Sequence, residues 1–199
     1  MANRSKVPAD ILERYRVQEW RNGITILSVV HKQEWQDIVE TLRDFRLLAS
    51  EIKKPGGRKT EGIVGRIDGA LYKRAWKEKS FDTRIIVDDI EHPSPTHAVD
   101  CFKNRVALEM EWNSKDTTFD RDLNNFRLLF DLRVIDVGVI VTRATELHST
   151  IRKLRKKTSY GESTTHFDKL LPRIEGGGGG GCPIVAFAIK KECYIDDSQ

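Results

Sequence analysis

The chain has 199 residues, 39% of them hydrophobic and 32% charged, enough apolar material for a core and too much for a disordered tail. Its 34 Lys and Arg nearly cancel 30 Asp and Glu, leaving +4. Any nucleic-acid contact must therefore come from local clusters and not from a uniformly basic coat. No apolar run approaches the roughly 20 residues that span a bilayer, and residues 1–8 offer no apolar h-region, so secretion by a signal peptide is not expected. Three cysteines without a CxxC pair fit a reducing compartment better than a disulfide or zinc scaffold. The expectation is a single cytoplasmic globular domain over residues 1–199 with no membrane association.

Taken in chain order, Tyr15–Gln18 alternates as a strand, Asn22-Gly23 signals a turn, and Ile24–Val30 reads as a second strand. Trp35, Ile38, Val39, Leu42 and Phe45 then recur at helical spacing, which predicts an amphipathic helix over 33–48. Pro55-Gly56-Gly57 breaks that pattern, and Ile63, Ile67, Ala70, Leu71 and Trp76 begin another helix. Arg84–Val87 reads as a short strand before a breaker at His92-Pro93-Ser94-Pro95. Val99–Phe102 and Arg105–Trp112 read as two strands joined at Lys103-Asn104. Phe119, Leu123, Phe126 and Phe130 mark a helix whose stripe belongs to a core or a dimer contact. Val134–Val141 is β-branched enough for a sheet interior. Helices are expected over 144–157 and 166–171, and a last buried strand over Pro183–Ile189. Six glycines, 176–181, read as a flexible surface loop; a phosphate cradle needs a strand before it and a helix after it, and here that order is reversed.

The chemistry concentrates between Asp100 and Glu111. On a strand, residues two apart share a face, so Glu109 and Glu111 point one way while Leu108 and Met110 point the other. With Asp100 at the end of a neighbouring strand, three carboxylates can converge at one sheet edge. Such a group resists joint ionisation unless a hard cation removes the repulsion, and Mg²⁺ prefers oxygen ligands while leaving positions open to phosphate. Glu-x-Glu also fits an ordinary strand facing water. The apolar setting of Glu109 in Val-Ala-Leu-Glu-Met favours a site. The five histidines show no ligand spacing and read as surface or packing residues.

At these residues the chain resembles the type II restriction endonucleases typified by BglII, BstYI and BamHI, within the PD-(D/E)xK nuclease superfamily. The Asp-x8-Glu-x-(Gln/Glu) motif is matched by Asp100, Glu109 and Glu111. The context Lys103–Glu109, the strand Ile135–Val139 and the strand Pro183–Ile189 extend the likeness, which is strongest over 98–189. The resemblance implies an α/β fold with a central mixed sheet flanked by helices. It also implies a homodimer acting on double-stranded DNA and a cognate DNA methyltransferase in the same restriction system. One or two Mg²⁺ ions, held by Asp100, Glu109 and the Met110 carbonyl, would assist cleavage of both strands of a palindrome, leaving 5′-phosphates. Glu111 stands where the superfamily usually has lysine and would orient or deprotonate the attacking water. A further acid from the upstream helix is assigned to Glu78. Base reading falls to Asn113, Ser114 and Lys115 after the strand, with Arg121 or Arg127 as a guanine reader. The polar loop 158–165, with Ser159, Tyr160 and Ser163, would approach DNA, and Lys156 and Lys157 would hold phosphates. Two rivals remain: a structure- or damage-directed repair nuclease, and a DNA-binding module without catalysis.

Overall fold

Alternation at the start of the chain becomes β1 (Tyr15–Trp20), an edge strand, after a short helix α1 (Ala9–Arg14). The computed structural model describes residues 4–53, 62–93, 96–154, 161 and 163–197. The strands that follow are β2 (Leu47–Leu48), β3 (Lys77–Lys79), β4 (Arg84–Val87), β5 (Ile90–Pro93), β6 (Val99–Lys103), β7 (Val106–Glu111), β8 (Val137–Arg143), β9 (Ile184–Ile189) and β10 (Tyr194–Ile195). The helices are α2 (Gly23–Thr25), α3 (Lys32–Asp44), α4 (Ala49–Lys53), α5 (Ile63–Tyr72), α6 (Thr118–Asp131), α7 (Leu147–Leu154) and α8 (Phe167–Glu175).

Six strands form one mixed sheet in the order β1-β9-β8-β7-β6-β3. Strands β9, β8 and β7 run parallel, and the outer pairings are antiparallel. The three parallel strands are buried along their whole length, as expected when helices cover both faces. On one face Trp35, Ile38, Leu42, Ile67 and Leu71 of α3 and α5 pack with Leu108, Met110, Val139 and Phe187. On the other, Phe119, Leu123 and Phe126 of α6 and Leu170 and Ile174 of α8 pack with Ala107, Ile140 and Ala186. Helix α6 comes unusually close. A Cβ on Gly138 would lie 2.3 Å from the Phe126 ring, so only glycine permits that approach. This is the α/β arrangement expected, a mixed central sheet flanked by helices. No described helix is long and apolar enough to cross a membrane, and the three cysteines are buried free thiols.

Several local expectations are corrected. Residues 24–30 are not a strand: α2 continues as a wider helical turn over Ile26–Val30. Arg21 and Asn22 turn the chain through left-handed conformations, and Gly23 then seats against the backbone of Ile184. Ile24 and Leu27, three residues apart, are buried while Val29 and Val30 face solvent, so tertiary packing overrides the β-branched preference. Helix α3 stops at Asp44, and α5 stops at Tyr72, leaving Trp76 buried beyond it. The expected breaker at 92–93 instead closes a hairpin, β4 with β5, turning through Asp88 and Asp89 with positive φ. The glycine run lies at the surface as expected, with Gly176, Gly177 and Gly178 exposed, but it is tied down. Gly176 and Gly178 N–H groups bond to the Pro172 and Arg173 carbonyls at the end of α8, and Gly179 lies against Ile184. The Pro55-Gly56-Gly57 breaker, Lys156, Lys157, Ser159 and Tyr160 lie outside the described residues.

Candidate active site

Strands β6 and β7 are joined by Asn104 and Arg105, both with positive φ (43° and 68°), one residue later than the sequence suggests. A two-residue loop of this kind sets hairpin register. It pairs Lys103 with Val106 and Cys101 with Leu108, which carries Asp100 alongside Glu109. The backbone ties the two acids together: Asp100 N–H donates to Glu109 Oε2 (3.3 Å), and Met110 N–H donates to Asp100 Oδ2 (3.4 Å). Glu109 and Glu111 share the face toward α6, while Leu108 and Met110 enter the opposite core. The two glutamates are 1% and 2% exposed, far more buried than an ordinary acidic strand face.

Two further carboxylates join them that sequence reasoning missed. Asp122 of α6 is 0% exposed. It sits on the buried stripe between Phe119 and Phe126, and an acid within an otherwise apolar helical face was the signal available. Asp68 lies on α5, partly buried, and accepts a long contact from Cys101 Sγ (3.7 Å). The expected position of Glu78 on that helix is corrected. The helix upstream of Asp100 ends before residue 78, so Glu78 falls on the edge strand β3 and is exposed.

Burial and mutual repulsion leave these acids reluctant to ionise. Burial and then the Asp100 charge raise Glu109 well above its ordinary value. Burial and then the Asp122 charge lift Glu111 to about 7. Burial, only partly opposed by Arg121, lifts Asp122 to about 6, and burial with the Asp100 charge lifts Asp68 to about 7. Glu109 Oε1, Glu111 Oε2 and Asp122 Oδ2 are buried with no hydrogen-bond partner among the described residues. Unpartnered buried carboxylate oxygens carry a large desolvation cost, and hard oxygen donors suit Mg²⁺. Among the described residues no three acidic, histidine or cysteine side chains close around a point as a finished metal cage.

A family model described as Restriction endonuclease BglII/BglIII matches residues 15–189. The chain belongs to the restriction endonuclease BglII/BglIII family. The matched span starts with the first residue of β1 and ends with the last of β9, so it takes in the whole central sheet and every acid named above. The protein is accordingly a type II restriction endonuclease, a hydrolase acting on DNA. A comparison with curated proteins gave no match.

In this restriction endonuclease the other sequence-predicted residues fall into three groups. Asn113, Ser114 and Lys115 follow directly on Glu111, with Lys115 and Ser163 exposed and an antiparallel bridge joining Lys115 to Thr164. Arg121 turns inward: its Nε and Nη2 donate to Asp122 Oδ1 (3.1 and 2.9 Å), and Nη2 lies 3.5 Å from Glu111 Oε1. Arg121 is thus a counter-charge to two buried acids. Arg127 bonds Asn124 and rests its stem on Gly180, by the loop leading into β9. Glu111 lies at the opposite end of the parallel strands.

Proposed function

We propose that this enzyme uses Mg²⁺ to cut both strands of a short palindromic DNA site as a homodimer, leaving 5′-phosphate ends, with one nuclease domain per chain. The same reading places it near BstYI and BamHI in the PD-(D/E)xK superfamily and pairs it with a cognate methyltransferase. The observation that carries the reading is the β6–β7 register. It sets Asp100 against Glu109 beside buried, partnerless carboxylate oxygens.

Asp100, Glu109 and the Met110 carbonyl would hold the ion, with Asp68 replacing Glu78 as the acid from the upstream helix. Bound Mg²⁺ supplies positive charge against the scissile phosphate and makes water easier to ionise. Glu111, lifted to about 7, matches a group that accepts a proton near neutral pH. It would orient or deprotonate the water attacking phosphorus in line with the departing 3′ oxygen. Arg121 balances the charge gathered on Glu111 and Asp122. Asn113, Ser114, Lys115 and Ser163 face the DNA in this reading, and Ser159, Tyr160, Lys156 and Lys157, outside the described residues, would contact it as well. A two-fold protein suits a palindrome because each subunit then cuts one strand.

Digestion of a sequenced plasmid by purified protein tests this. Cutting at one palindrome, on both strands, in Mg²⁺ but not in EDTA, with ligatable 5′-phosphates, is expected. Metal-independent cutting, or breaks that follow branched structure and ignore sequence, would overturn it.

A further inference from the structure

Arg143 is the largest fully buried side chain among the described residues, 0% exposed at the end of β8. A buried guanidinium is costly unless its donors are used, and its planar fork serves best where two directions must be fixed at once. Both directions are informative. Nε donates to the Trp112 carbonyl (3.1 Å), the residue immediately after Glu111. Nη2 donates to Thr164 Oγ1 (2.6 Å), and that hydroxyl in turn donates to the Gly161 carbonyl (2.8 Å).

Above this fork the two segments are laced by their backbones. Thr165 N–H donates to the Ser114 carbonyl (2.8 Å), Asp116 N–H to the Ser163 carbonyl (3.1 Å), and Lys115 bridges Thr164. Beneath it, β8 is locked in register: Thr142 pairs with Glu111, and Arg143 pairs with Ile189. One side chain therefore touches the end of the acidic strand and the second polar segment while anchored in the sheet. A hydrophobic residue would fill the space, but it could not hold both acceptors.

We propose that Arg143, through Thr164, is a positioning residue that makes 113–116 and 163–165 a single DNA-facing unit and ties that unit to Glu111. A segment that seats badly on a wrong base pair then displaces the end of the acidic strand, so discrimination is expressed in the cutting rate as well as in binding. This rests on the proposed DNA-facing role of the two segments.

The test uses full-length enzyme and synthetic duplexes carrying the site mapped by plasmid digestion, and the same duplexes with one base pair changed. Thr164→Val removes the hydroxyl at nearly constant shape, and Thr164→Ser returns it. Single-turnover cutting rates at saturating enzyme give the ratio of correct to altered site. The ratio is expected to fall about tenfold in Thr164→Val, within the range of one base-pair discrimination, and to recover in Thr164→Ser. A ratio unchanged in Thr164→Val, or one that Thr164→Ser fails to restore, overturns the proposal. If Thr164→Val does not fold, as judged by its melting curve, Arg143→Lys keeps the charge without the fork and is read by the same ratio. Asn113→Ala and Ser114→Ala separate the two ideas. If they leave binding to every duplex unchanged, the DNA-facing reading fails; if they weaken it while Thr164→Val keeps its ratio, only the brace fails.

Discussion

Two sets of buried acids lie on opposite faces of the same sheet, and they are treated in opposite ways. Asp37 of α3 is almost fully enclosed, yet every direction is answered. It accepts from Gln33 (3.0 Å), Trp76 Nε1 (3.0 Å) and Lys103 Nζ (2.8 Å). Burial alone would raise its pKa, but these donors together hold it below the ordinary carboxylate value. Glu109, Glu111 and Asp122 are as deeply buried, keep oxygens without partners, and are pushed upward. A structural acid is completed by its own chain. Under the proposed function the second set is left incomplete for a ligand, and its desolvation cost falls on the free protein.

The largest effect that would break this contrast is catalytic. Asp100→Ala or Glu109→Ala should cut DNA about 10³-fold more slowly or worse while binding the same duplex. Asp37→Ala should instead cost about 3 kcal/mol of stability by leaving Lys103 partly buried without its carboxylate, with folded enzyme still cutting. Substantial turnover by Asp100→Ala, or inactivity of well-folded Asp37→Ala, would erase the distinction.

The next effect is on stability against pH. The folded values of Glu111, Asp68 and Asp122 lie above their unfolded ones, at about 7, 7 and 6. Between roughly pH 4 and 7 the folded state thus holds more protons than the unfolded state, so these groups weaken the fold as pH rises through that window. Asp37 has the opposite sign, with its contribution present above its unfolded value and lost in acid. In EDTA, melting should fall by about 3 °C or more between pH 5 and 7.5. Glu111→Gln should flatten the decline, and Mg²⁺ should raise melting more at pH 7.5 than at pH 5. A melting curve indifferent to Mg²⁺ at pH 7.5 would count against the cation reading. The same Glu111→Gln protein should keep more cutting activity than Asp100→Ala if Glu111 chiefly orients water; equal inactivity would make it the sole base.

The smallest effect sharpens the picture at the DNA surface. Neutralising Lys156 and Lys157 should lower the salt slope of binding by about 0.9 for each phosphate that no longer meets a lysine, on any sequence. Asn113→Ala or Ser114→Ala should leave that slope and instead cost about 1–3 kcal/mol of discrimination at one base pair. Binding titrations on correct and altered duplexes across a salt series distinguish them, and uniform weakening by Asn113→Ala would make that segment an anchor.

Most of the central sheet is legible in the sequence. The alternation at 15–18, the β-branched run before 141 and the apolar run 184–189 become β1, β8 and β9, and the stripe of Phe119, Leu123 and Phe126 becomes α6. Residues 24–30 mislead because β-branched composition is a weak preference, easily overturned when Ile24 and Leu27 find a core at helical spacing. Asp122 escapes notice because attention to apolar periodicity passes over a lone acid within the stripe. Glu78 stands out only if the helical pattern is carried through Trp76, beyond the true end of α5 at Tyr72.

By itself the sequence determined which side chains share a face. A strand repeats every two residues, so Glu109 and Glu111 had to point together, whereas the register that sets Asp100 against Glu109 came from a loop at Asn104 and Arg105, one residue later than the sequence suggests. What those faces would meet was decided only in three dimensions. Gly138 lets Phe126 and α6 press onto the sheet, which delivers Asp122 to Glu111 and draws Arg121 inward. The end of β8 buries Arg143 beneath two segments far apart in the chain. Periodicity is a property of neighbouring residues, whereas opposition across a core depends on close packing between distant ones, which no local pattern encodes.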